Sequence, residues 1–127
     1  MKEKTIIQIS KMKKQTIGIE IEMNRISRER AANIAAEFFG TNRSEFTDST
    51  NSYMTWSAWE NNNREWKFQR DTSIQGRDEE KCELVTPILK YNDITMLQEL
   101  LRILRKAGAR SSPSRGQIIA GQLTLNF

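Results

Sequence analysis

The stretch Thr16-Ile17-Gly18-Ile19-Glu20-Ile21-Glu22 decides how this chain is read, because three isoleucines alternate strictly with a glycine and two carboxylates. Successive side chains of a strand point to opposite faces, so Ile17, Ile19 and Ile21 enter a core while Gly18, Glu20 and Glu22 line the other side. Two readings of that polar side stand at this point, a divalent-cation site or a solvated strand face.

Working outward, Thr5 to Ile9 reads as a second, weaker strand that pairs with Thr16 to Met23 across the basic turn Lys11-Met12-Lys13-Lys14. Downstream the period changes from two to that of a helix. Ser27 is the candidate cap, Glu29 sits in the first turn, Ala31, Ile34, Ala35, Phe38 and Phe39 form the apolar stripe, and Gly40 terminates it. Residues 41–52, rich in Ser, Thr and Asn, read as a mobile loop.

Tyr53 to Trp59 and Arg64 to Asp71 then read as an aromatic hairpin turned by Glu60-Asn61-Asn62-Asn63, since asparagine tolerates the positive φ of tight turns. In its second arm Trp66 and Phe68 share one face, and Lys67, Gln69, Asp71 and, if the strand continues, Ser73 share the other. Lys81 to Pro87 is the next strand, with Cys82 and Leu84 on one side and Glu83 on the other, ended by Pro87. A helix from about Asp93 to Lys106 turns Ile94, Leu97, Leu100, Leu101 and Leu104 inward and stops at Gly108. Gln117 to Phe127 alternates like a final strand.

This order predicts an α+β fold, a curved and mainly antiparallel sheet with two amphipathic helices on one face and the other face open. The 127 residues suffice for one modest core, so residues 1–127 read as a single domain. If the sheet curves, Glu20, Glu22, Lys67, Asp71, Ser73 and Glu83 fall together on the open face, although alternation alone does not fix which strands are neighbours.

Composition narrows the chemistry. There is no histidine, which removes Ser-His and Cys-His catalysis and imidazole zinc sites, and the single Cys82 removes intrachain disulfides and thiolate clusters. No apolar stretch approaches the roughly 20 residues that span a membrane. The start of the chain does not resemble a secretory signal, which makes the cytoplasm the default location. A net charge of +4 admits nucleic acid, but the basic residues are dispersed among sixteen acidic ones, so that reading ranks last. Any catalysis must use carboxylates, lysine, arginine and bound ions.

Three segments, Gly18-Ile19-Glu20-Ile21-Glu22, Trp66-Lys67-Phe68-Gln69-Arg70-Asp71-Thr72-Ser73 and Cys82-Glu83-Leu84-Val85-Thr86-Pro87, together resemble the amidoligase family in order and spacing. That family is related in fold to glutamine synthetase and glutamate-cysteine ligase, and the resemblance spans about Thr16 to Gly116. It implies a ligase that joins a carboxylate to an amine with ATP and magnesium. By resemblance, Glu20, Glu22 and Glu83 hold magnesium, Asp71 and Ser73 sit at the substrate or nucleotide as catalytic residues, and Lys67 or Arg70 reaches phosphate.

The chain departs from the family at Ser114-Arg115-Gly116-Gln117-Ile118-Ile119-Ala120, where a cysteine-glycine step followed by alternating histidines is usual, and it stops where family members continue. The expectation is therefore a truncated or degenerate ligase domain. The competing expectation is a non-catalytic protein-interaction module, from a phage or other mobile element, that reuses the scaffold. A hydrophobic edge at Leu123-Thr124-Leu125-Asn126-Phe127 adds the expectation of a homodimer or a protein partner paired through the sheet.

Overall fold

The computed structural model describes residues 16–48, 53–112, 118–119 and 122–124. Its elements in chain order are β1 (Thr16–Asn24), α1 (Arg28–Phe38), β2 (Ser44–Phe46), β3 (Trp56–Trp59), β4 (Glu65–Gln69), β5 (Cys82–Val85), β6 (Leu89–Lys90), α2 (Ile94–Lys106), β7 (Arg110–Ser111), β8 (Ile118–Ile119) and β9 (Gln122–Thr124). The strands form one open sheet in the order β2-β3-β4-β5-β1-β9-β8, with β6 and β7 also paired to β1. All pairs are antiparallel except β1 with β9. This is the α+β class expected from the sequence.

The alternation in β1 translates directly into burial. Ile19, Ile21 and Met23 are buried, whereas Glu20 and Glu22 are only partly covered. The register carries the apolar side across the sheet, setting Ile21 beside Leu84 and Phe68 beside both Leu84 and Trp56. Ser27 caps α1 as expected, its hydroxyl accepting from the Arg30 amide at 3.1 Å. Four buried alanines, Ala31, Ala32, Ala35 and Ala36, let this helix lie close on the sheet, and Phe39 just beyond it packs on Trp66 with ring centroids 5.2 Å apart. Leu97, Leu100, Leu101 and Leu104 of α2 complete the core.

The hairpin β3–β4 is fastened to α2 by one arginine. Arg64 donates to both oxygens of Glu60 (2.8 and 3.1 Å) and to both oxygens of Asp93 (3.0 and 3.1 Å), while Trp66 Nε1 donates to Glu60 at 2.7 Å. Two bidentate pairs on one guanidinium fix the turn against the start of the helix. Asp93 is held below the usual carboxylate range by its bond from Arg64.

Four expectations change. Ser44–Phe46, inside the stretch read as a loop, is an edge strand on β3. A strand of three residues shows no usable alternation, and its order comes from its neighbour. β4 stops at Gln69, so Asp71 and Ser73 lie in the following turn and not on the strand. Pro87 interrupts its strand without ending the pairing: β1 runs three positions from Glu20 to Ile17 while its partner runs four from Val85 to Leu89, a one-residue bulge. The Thr86 hydroxyl spans the gap by accepting from Ile19 N at 3.0 Å. The single tail strand is instead the hairpin β8–β9, and of the residues expected at a free edge Leu123 lies between Ile19 of β1 and Ile118 of β8, while Thr124 pairs with Glu20 of β1. The strand Thr5 to Ile9, its lysine turn and Leu125 to Phe127 lie outside the described residues.

Candidate functional site

The open face is organised in rows. Gln69, Glu83 and Glu22 stand side by side on β4, β5 and β1, and Lys67, Val85 and Glu20 form the next row. Directly opposed residues bring their Cβ atoms to about 5 Å, so the register alone places Glu83 against Glu22.

The third acid arrives from a loop. Beyond β4 the chain folds over the end of β1, where the Asn24 side-chain amide donates to Gln75 O at 2.9 Å and Arg28 donates to Asp78 O and Lys81 O at 3.1 and 2.7 Å. Ile74 is buried and pins the loop from within. Asp71 accepts from the amide and the hydroxyl of Ser73 at 2.9 and 2.7 Å, which shapes the turn around its carboxylate. As a result one carboxylate oxygen from each of Glu22, Asp71 and Glu83 lies within 4.8 Å of the others.

Electrostatics mark Glu83 out. It is only 7% exposed, and burial first, then the hydrogen bond with Asp71 and the charge of Glu20, push its carboxyl up to about 8. Gln69 acts the other way, donating to Glu83 Oε1 at 3.1 Å. Carboxylates this close cannot all ionise without a shared proton or a cation. The donor set fits magnesium, since all three ligands are hard carboxylate oxygens and no sulfur or imidazole competes.

Of the residues expected from the sequence, Glu22, Asp71 and Glu83 converge. Ser73 stands behind Asp71. Glu20 shares the face and contributes charge but stays outside the tight group. Arg70 donates to Asp78 at 2.8 Å, on the outer side of the loop. Lys67 is exposed and lines a polar pocket of about 410 Å³ on the other flank of β4. Its floor is Glu65, Lys67 and Gln69, and Thr47, Asp48, Tyr53 and Thr55 wall it. Gln69 thus belongs to both the pocket and the triad.

The pocket walls were missed in the sequence because Thr47 and Asp48 come from the stretch read as a loop, while Tyr53 and Thr55, read as part of a strand, precede the strand that begins at Trp56. Glu65 had a signal, the alternation that puts it with Lys67 and Gln69. Cys82, by contrast, is buried among core residues and its thiol is pushed up to about 12, which suits the apolar role expected of it. Among the described residues no helix is long and apolar enough to cross a membrane.

In comparison with known families, a family model described as a putative amidoligase enzyme matches residues 13–120. No curated protein and no solved structure matches the chain.

Proposed function

The chain belongs to the amidoligase family, and from that premise we propose that its open sheet face is the active site of a ligase that joins a carboxylate to an amine using ATP and magnesium. The observation that carries this reading is the convergence of Glu22, Asp71 and Glu83 from two strands and a loop onto one face, inside the matched region.

In this reading the three carboxylates hold the cation, and the groups behind them set their positions. Gln69 fixes the orientation of Glu83, Ser73 that of Asp71, and the bonds from Asn24 and Arg28 hold the loop that delivers Asp71. Bound magnesium supplies neutralisation of nucleotide phosphate charge during phosphoryl transfer to the substrate carboxylate. Lys67 adds a positive charge on the same face for an anionic group. Glu83, uncharged near neutral pH in the metal-free protein, gives up its proton to bind the cation, so affinity rises with pH. The helix-covered side stays dry and rigid, so the site is built on strands fixed from behind.

Calorimetric titration of ATP, with and without magnesium, into wild type and a Glu22→Gln/Asp71→Asn variant tests this. Magnesium-dependent binding by the wild type, absent in a variant with an unchanged circular dichroism spectrum, is expected. No binding by folded wild-type protein sinks the ligase reading.

A further inference from the structure

We propose that the pocket beside the triad is the amine subsite and that it takes the amine as a zwitterion of amino-acid size, its ammonium on Asp48 and Glu65 and its carboxylate on Lys67. The assignment rests on the ligase reading and extends it to the class of the second substrate.

Three observations carry it. The first is position: Gln69 lines the pocket and also donates to Glu83, so the pocket and the triad share a wall. A nucleophile seated there lies next to the place where a carboxylate would be activated. The second is charge. Two carboxylates line the pocket with one lysine, and Glu20, Glu22, Asp71 and Glu83 stand on the same open side, so the field there favours an amine that enters as a cation. Asp48 is only 8% exposed, which strengthens its field on a guest. The third is complementarity. Ammonia needs neither a lysine nor a volume of about 410 Å³, whereas an α-amino acid uses both, and Thr47, Thr55 and Tyr53 make the surrounding walls polar.

The step balances with ATP as the phosphoryl donor. The substrate carboxylate first takes the γ-phosphoryl group of ATP and ADP leaves; the ammonium then loses one proton to solvent, its nitrogen forms the new C–N bond to the acyl phosphate carbon, the C–O bond to phosphate breaks with phosphate taking the electron pair, and the nitrogen gives up a second proton to the departing phosphate or to solvent to become the amide.

Saturation-transfer NMR on wild type, Asp48→Asn and Lys67→Met, using the proteinogenic α-amino acids, their α-amides and their N-acetyl derivatives, tests the assignment alongside magnesium-ATP calorimetry. Free amino acids should show transfer and N-acetyl derivatives none. Lys67→Met should weaken amino acids at least about tenfold, the scale of one charge-assisted hydrogen bond, and leave amides unchanged. Asp48→Asn should weaken both and leave magnesium-ATP affinity unchanged. Absence of transfer from every amino acid, equal transfer from N-acetyl derivatives, or a Lys67→Met variant that loses ATP and keeps amino acids each overturns the proposal. Amino-acid binding with the expected variant pattern, in a protein that does not bind magnesium-ATP, removes the ligase reading and leaves the ligand class standing.

Discussion

The two faces of the central sheet share every strand yet are held by different physics. On the covered side Ile19, Ile21, Phe68, Trp66 and Leu84 are excluded from water by two helices, and each contributes through apolar area and close packing. On the open side Glu22, Glu83 and Asp71 crowd together so closely that their charges would repel if all three ionised, even with Gln69 and Ser73 donating to Glu83 and Asp71. The covered face therefore stabilises the protein, and the open face costs stability that the covered face supplies. Such an arrangement is common where a surface exists to bind something.

The sharpest way to break this contrast is to truncate adjacent residues on β4. Phe68→Ala should destabilise by about 3–5 kcal/mol in urea unfolding, the usual scale for a fully buried phenylalanine, and Lys67→Ala one position away by less than about 0.5 kcal/mol. Equal effects would mean that the two faces are not distinct.

Next in size is the pH dependence of the crowded face. Glu83 titrates near 8 when folded and in the usual carboxylate range when unfolded. Between those values the folded protein keeps a proton that the unfolded chain has released, so stability falls as pH rises through roughly 5 to 8. Glu83→Gln should flatten that slope and stabilise the metal-free protein at pH 9 by on the order of 3 kcal/mol. Thermal melts of both proteins from pH 5 to 9 check it, and parallel curves would refute it.

A smaller effect tests the seam between hairpin and helix. Arg64→Met leaves Glu60 and Asp93 partly buried without their shared cation, and should cost about 2 kcal/mol and reduce amide-exchange protection at Trp66. Smallest in stability is Glu22→Gln, expected within about 0.5 kcal/mol of wild type in the absence of metal. It should abolish any magnesium-induced rise in melting temperature, which separates a binding role from a structural one.

Much of the covered face was legible in the sequence because burial imposes a period. The isoleucines of β1, the leucines of α2, the Ser27 cap and the glycines at 40 and 108 each act within a turn or two of their own position. The edge strand β2 and the β8–β9 hairpin escaped because strands of two or three residues show almost no period and depend on a partner far along the chain. The candidate site was partly legible. Alternation put Glu20, Glu22 and Glu83 on a polar side, but could not say which of them meet.

By itself, then, the sequence determined which residues face water and which face the core, excluded imidazole chemistry and thiolate metal clusters, and carried the family resemblance in three short segments. Only the tertiary structure decided that Glu22 opposes Glu83, that Asp71 joins them from a loop tied down by Asn24 and Arg28, and that Gln69 links the triad to a neighbouring pocket. The physical reason is range. Side-chain direction along a strand is set by local backbone geometry, whereas the meeting of carboxylates 61 and 49 positions apart, Glu22 with Glu83 and with Asp71, depends on register and loop closure, which the whole fold fixes at once.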